Sequence, residues 1–117
     1  MQAETRHLLM EAGIDLEDAM DRFFDDEELF MSVVKMFLED PNYGLYKEAM
    51  EKKSFEDAFK AMHTLKGLCG NLSLIPLFEV TSREVELLRS EKYPEAEELM
   101  PELDREYNKV FEALQKV

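Results

Sequence analysis

The sequence predicts an all-α domain, an antiparallel up-and-down four-helix bundle with short N-terminal helices capping one end. Three observations carry this. Apolar residues recur at the three- and four-residue spacing of amphipathic helices along most of the chain, and strand-like alternation is nearly absent. Only four Gly and four Pro interrupt 117 residues rich in Glu, Leu, Met, Ala and Lys, all strong helix formers. Hydrophobic residues make up 45% of the chain, enough for one modest core and therefore one domain.

The elements follow in order. A first helix is expected over Ala3 to Ala12, stopped by Gly13. Asp15 reads as the N-cap of a second short helix, with Leu16, Ala19, Met20 and Phe23 on its apolar side. Residues 1–24 thus form the capping segment and residues 25–117 the bundle. Asp25 with Glu28 resembles a capping box that opens the next helix. Phe30, Val33, Val34 and Phe37 continue it, Pro41 interrupts it, and Leu45, Ala49 and Met50 resume it. The expectation is an interrupted helical rod from about Asp26 to Lys52. Ser54 and Asp57 suggest a second capping box, followed by a central helix to about Leu72. Pro76 suits the first turn of the next helix, whose buried side holds Leu77, Phe78, Val80, Val85, Leu87 and Leu88. A loop around Tyr93 and Pro94 leads to the last helix, striped by Leu99, Leu103, Tyr107, Val110 and Leu114. Pro101 either starts that helix or bends it. Short connections imply antiparallel neighbours, and four amphipathic helices bury their stripes most simply as a bundle.

Charge and cysteine content exclude several functions. The formal net charge is −13, which disfavours nucleic acid and anionic membranes. The single cysteine, Cys69, allows no internal disulfide and suits a reducing cytoplasm. It is expected to be a small core residue. "MQAETRHLLMEAG" carries no signal-peptide apolar run, and no stretch approaches the ~20 apolar residues of a membrane span.

One stretch breaks the local rules. "FKAMHTLKGLCGNLSL", from Phe59 to Leu74, reads as helix yet holds two glycines, each costing about 1 kcal/mol relative to alanine. On a helical wheel Phe55, Ala58, Phe59, Met62, Leu65, Cys69 and Leu72 share one apolar arc. His63 falls roughly 120° from the centre of that arc, on the outside. Gly67 at i+4 and Gly70 at i+7 lie on the histidine's side, and Lys60 and Lys66 flank it at i−3 and i+3. The glycines remove bulk beside an imidazole, and the lysines place cations near it. Neutral imidazole is a competent nucleophile near neutral pH, and a phosphoryl group on its nitrogen would bring about two negative charges. The alternative for each residue is an ordinary solvated surface, with glycines that only allow close helix packing.

"AMHTLKGLCGNLSL" closely resembles the signature of histidine-containing phosphotransfer (HPt) domains: histidine, any residue, leucine, lysine, glycine, then small residues and a further leucine. "FLEDPNYGLYKEAM", "KKSFEDAF" and "LFEVTSREVELL" resemble the family's flanking elements, whereas the N-terminal segment matches only loosely. The resemblance implies a four-helix bundle that relays phosphoryl groups between aspartates of response-regulator receiver domains. It implies that His63 is the phosphoacceptor, that Lys66 neutralises the phosphoryl group, and that Gly67 gives access. Lys60, Thr64, Gly70 and Asn71 are the expected partner-binding positions, helped by a neighbouring helix that the sequence does not place. Expected partners are receiver domains and a hybrid sensor histidine kinase. The Mg²⁺ belongs to the receiver, and no cofactor is expected on this chain. Ser73 stands where the family often has a second glycine, and Met62 where alanine is common.

The chain shows no glycine-rich nucleotide loop and no P-loop lysine motif, so a carrier without its own kinase activity is expected. A monomer is expected, and the length fits a free-standing module, although a domain of a larger kinase would read the same. Two rivals stand beside this reading. A ferritin-like metal bundle needs two Glu-x-x-His motifs, and only Glu4-Thr5-Arg6-His7 is present. A docking-only module would keep the fold without accepting phosphate, but it would not need the histidine of the His-x-x-Lys-Gly pattern.

Overall fold

A computed structural model describes all 117 residues and contains seven α-helices. They are α1 (Ala3–Glu11), α2 (Leu16–Arg22), α3 (Glu27–Glu39), α4 (Asn42–Glu51), α5 (Phe55–Asn71), α6 (Ile75–Arg89) and α7 (Tyr93–Gln115). Helix α5 packs chiefly on α4 and α6, α6 on α7, and α7 also touches α1 and α3. One core of 29 buried hydrophobic residues runs through the bundle and takes in Leu9, Ala12, Ile14, Leu16 and Ala19 of the N-terminal segment.

Five helices end in a left-handed turn, made by one residue after α1, α4, α5 and α6 and by two, Phe24 and Asp25, after α2. After α5, Ser73 has φ 54°, its N–H donates to the Gly70 carbonyl, and the Leu74 N–H reaches back to Cys69. Gly13, Phe24, Lys53 and Glu91 take the same place after α1, α2, α4 and α6. Only Gly13 occupies its site without a Cβ penalty, and a Cβ there would also lie 2.9 Å from the Pro76 ring. The Ser73 turn is tied down from outside. Ile14 and Leu74 form a lone antiparallel bridge, the Asp15 N–H donates to the Ser73 carbonyl, and the Ser73 hydroxyl donates to Asp18 at 2.6 Å. The hydroxyl of Ser73 and then the guanidinium of Arg22 hold the Asp18 carboxyl below its usual range. The first two helices are thereby fastened to the α5–α6 connection.

The structure moves several expected boundaries. Asp26, not Asp25, caps α3, accepting from the Leu29 N–H at 3.0 Å, because Phe24 and Asp25 are spent on the left-handed turn that closes α2. The expected rod is two helices. Asp40 is extended, with ψ 130°, as the residue before a proline prefers, and its carboxylate receives the Asn42 N–H at the start of α4. Ser54 precedes α5 but its side chain makes no capping bond. Tyr93 and Pro94 are not loop but the first turn of α7, and Pro101 lies inside that helix. Leu45, expected on the apolar side of α4, is 51% exposed, because Tyr43, Tyr46, Ala49 and Met50 set the buried face.

Those tyrosines carry a polar layer through the core. Tyr46 of α4 donates its hydroxyl to Glu84 of α6, which is fully buried, and the second oxygen of Glu84 has no partner. Tyr43 donates to Asp104 of α7, to which Lys47 also comes within 3.4 Å. Tyr43 and Tyr107 stack with centroids 4.0 Å apart. Burial pushes Glu84 up to about 7, against the opposing pull of the Tyr46 hydroxyl. A carboxyl raised in the folded state contributes stability that is fully present below about pH 4.5 and lost as pH rises through about 7. Glu84→Gln should therefore flatten the pH dependence of stability over that window, by up to about 3 kcal/mol, in urea titrations between pH 4.5 and 8. Ser73→Ala keeps the left-handed strain and loses the bond to Asp18, so it should cost about 1 kcal/mol, whereas Ser73→Gly should come close to wild type in the same titration.

Candidate functional site

Helix α5 presents its inner face to the core and one narrow ridge to solvent. Ala58, Ala61, Met62, Leu65 and Cys69 are buried, and burial raises the Cys69 thiol far above its ordinary range. His63 is exposed, with Gly67 exposed one turn further on and Asn71 after that. His63 makes no hydrogen bond or ion pair within the protein. Phe55 and Phe59, expected in the core arc, are half-buried at its edge instead. Phe55 stacks on Tyr93 at the start of α7, and Phe59 stacks on His63 with centroids 5.8 Å apart.

The two lysines differ. The Lys60 ammonium lies 3.7 Å from Glu56, so its charge is partly answered on its own helix. Lys66 has no carboxylate within ion-pair distance and rests its ammonium 5.9 Å from the centre of the Phe78 ring. It is the uncommitted cation nearest the histidine in sequence. The Thr64 hydroxyl is turned back onto the Lys60 carbonyl at 3.0 Å.

The two glycines differ as well. A Cβ on Gly67 would meet nothing within 4 Å, so the space beside His63 at that point is open. A Cβ on Gly70 would lie 3.0 Å from the Phe78 ring of α6, so this glycine serves the contact between α5 and α6. Sequence reasoning set both beside the imidazole; wheel angles carry no information about which neighbour fills the space.

The flanks of the ridge come from helices the sequence did not assign to it. On one side a groove of about 430 Å³ runs between α4 and α5, lined by Leu45 and Ala49 against Lys60, Ala61 and Thr64. Toward the far end Asn71 shares a notch of about 320 Å³ with Arg22, Phe23 and Val33. Val33 is half-buried against the core, while Leu29 and Met36 of the same helix are 48% and 60% exposed. Leu29 and Met36 fall outside the Phe30, Val33, Val34 and Phe37 stripe that the sequence displays, and nothing in their spacing marks them as part of a surface. No three His, Cys, Asp or Glu side chains converge as a metal site, and His7 lies 3.8 Å from Glu11 on α1. No helix is long and apolar enough to cross a membrane.

The glycines make opposite predictions. Gly67→Ala should raise stability by about 1 kcal/mol, the helix-propensity gain with nothing to oppose it. Gly70→Ala must displace the Phe78 ring and should fall at least about 1 kcal/mol below Gly67→Ala. Denaturant midpoints with unchanged slopes would read both.

No curated protein and no solved structure gives a significant match to the chain. A model of the Hpt domain family matches residues 15–113, from the start of the second helix almost to the end of the last, and takes in the whole ridge. The family's domains carry phosphoryl groups on a histidine in two-component phosphorelays, and on this match the chain belongs to the Hpt domain family.

Proposed function

We propose that His63 is the phosphoacceptor of a relay, taking a phosphoryl group from the aspartate of one receiver domain and passing it to another. The observation that carries this is the pairing of an exposed, unbonded imidazole with open space at Gly67, on a helix whose other faces are packed. The step is an in-line displacement. The lone pair of a neutral ring nitrogen of His63 attacks phosphorus, the bond to the aspartyl oxygen breaks, and the carboxylate leaves with its electron pair. The other ring nitrogen keeps its proton until solvent takes it. Lys66 supplies a cation for the two negative charges gained, free of any competing carboxylate. Gly67 leaves room for the incoming group. Such transfer depends on positioning and electrostatics, and the receiver brings the Mg²⁺ and the acidic pocket.

The docking face extends from the ridge over its flanks. Lys60, Thr64 and Asn71 lie on α5, Leu45 joins them from α4 across the groove, and Val33 from α3 across the notch. The exposed Leu45 and the half-buried Val33 beside a central polar group suit a protein partner. Gly70 contributes by letting α6 approach, rather than by touching the partner. Of the two departures from the family pattern, Met62 is fully buried and so alters the core, not the face. Ser73 sits at the left-handed residue that closes α5, where glycine is the usual solution. The short connections support an up-and-down order of helices, with residues 1–24 as the cap and 25–117 as the bundle, acting as a cytoplasmic monomer alongside receivers and a hybrid sensor kinase.

A receiver preloaded with phosphate should, with Mg²⁺, add one phosphoryl mass to this chain. The adduct should be labile to acid, stable to alkali, and absent from His63→Gln. Intact-mass spectrometry checks this. Receiver binding by wild type with no adduct would instead establish the docking-only module.

A further inference from the structure

We infer that Phe59 is a positioning residue for the imidazole of His63, and that Arg89 of α6 holds Phe59 in place; this rests on the reading of His63 as phosphoacceptor. His63 has no hydrogen bond to fix its ring. An exposed side chain of this kind changes rotamer on the picosecond to nanosecond scale. What touches the ring with a preferred orientation is Phe59, one turn earlier on α5, with centroids 5.8 Å apart and planes inclined by 30°. Phe59 is itself constrained. The Arg89 guanidinium lies 5.5 Å from the centre of its ring, and Glu86, one turn back on α6, pairs with that guanidinium. Below Phe59 the next aromatic step, Phe55 on Tyr93, is nearly parallel at 3.9 Å. Phe55, Phe59 and His63 recur at four-residue steps along α5; Tyr93 of α7 stacks on Phe55, and Arg89 of α6 lies over Phe59.

The gain from such a stack is bounded. Within a helix about two χ1 wells and a roughly two-fold χ2 are open to the imidazole, about four orientations in all. Holding the productive one raises the rate by up to about fourfold. A leucine would cover the same core edge without offering a flat face, whereas a tyrosine would keep the face.

The test uses the full chain with two readouts. Proton NMR of unphosphorylated protein follows the His63 ring signals, which the Phe59 ring current displaces. Phosphorylation rate is measured with phosphoramidate, whose P–N bond breaks to release ammonia as the new bond to imidazole forms, so no receiver is needed. Phe59→Leu should abolish the displacement and slow phosphorylation about three- to fourfold, and Phe59→Tyr should restore both. Arg89→Met, at an exposed side chain, should leave the fold intact and give an intermediate loss in each readout. Labelling of Phe59→Leu at the wild-type rate, or a slow rate that tyrosine does not rescue, would overturn the inference while leaving the phosphoacceptor in place. A wild-type protein that phosphoramidate and receivers both fail to label would overturn the phosphoacceptor itself.

Discussion

Everything at the site depends on how α5 is held. On the proposed reading of His63, the nucleophile must be reached by another protein and so cannot be buried, yet it must not wander. The bundle meets both demands by burying the inner face of one helix and leaving a single ridge bare. Ala58, Ala61, Met62, Leu65 and Cys69 fix the inner face, and α4 and α6 fix the sides. Two of the residues against the neighbours are small for a reason. Ala61 lies under the α4 groove, and Gly70 admits the Phe78 ring. Gly67 is small for the opposite reason, since nothing in the protein uses its space.

Apolar packing alone would let helices slide, because a hydrophobic contact has little direction. The polar layer supplies direction. Tyr46 to Glu84 links α4 with α6, and Tyr43 to Asp104 links α4 with α7. A shift of one helical turn, about 5.4 Å, would break both. The Asp18–Ser73 bond does the same for the N-terminal cap. These three links use side chains far apart in sequence, and each joins a helix to a partner it does not follow directly.

This explains which parts of the molecule could be read from the sequence. The all-helical class, the outward placement of His63 and the N-cap at Asp15 rest on local spacing, which the sequence displays directly. Asp25 and Asp26 are equally good caps by type, and the choice between them is made by the turn that closes α2. Leu45 points outward because two tyrosines with remote partners claim the inner face of α4. Nothing local marks Glu84 as the one fully buried acid among the 27 carboxylates. Gly67 and Gly70 look alike on the wheel and differ only through Phe78, a residue of the next helix. What was hidden is in each case a long-range pairing.

The site also has the composition of half an active centre. His63 has no carboxylate to orient it and no hydrogen-bonded base, the arrangement that activates a nucleophile in an enzyme acting alone. A neutral imidazole needs no base to attack phosphorus, because its lone pair is already available near neutral pH. On the proposed reading, what it needs is an activated phosphoryl group delivered in line by a receiver. A side chain built to generate its own reactivity would be enclosed among polar partners. One that receives and releases a group, as proposed for His63, is better served by an open ridge and the unpaired cation of Lys66. The balance of features on α5, with rigidity from the core and no polar partner on the imidazole, supports the proposed reading of His63 as the phosphoacceptor of a relay.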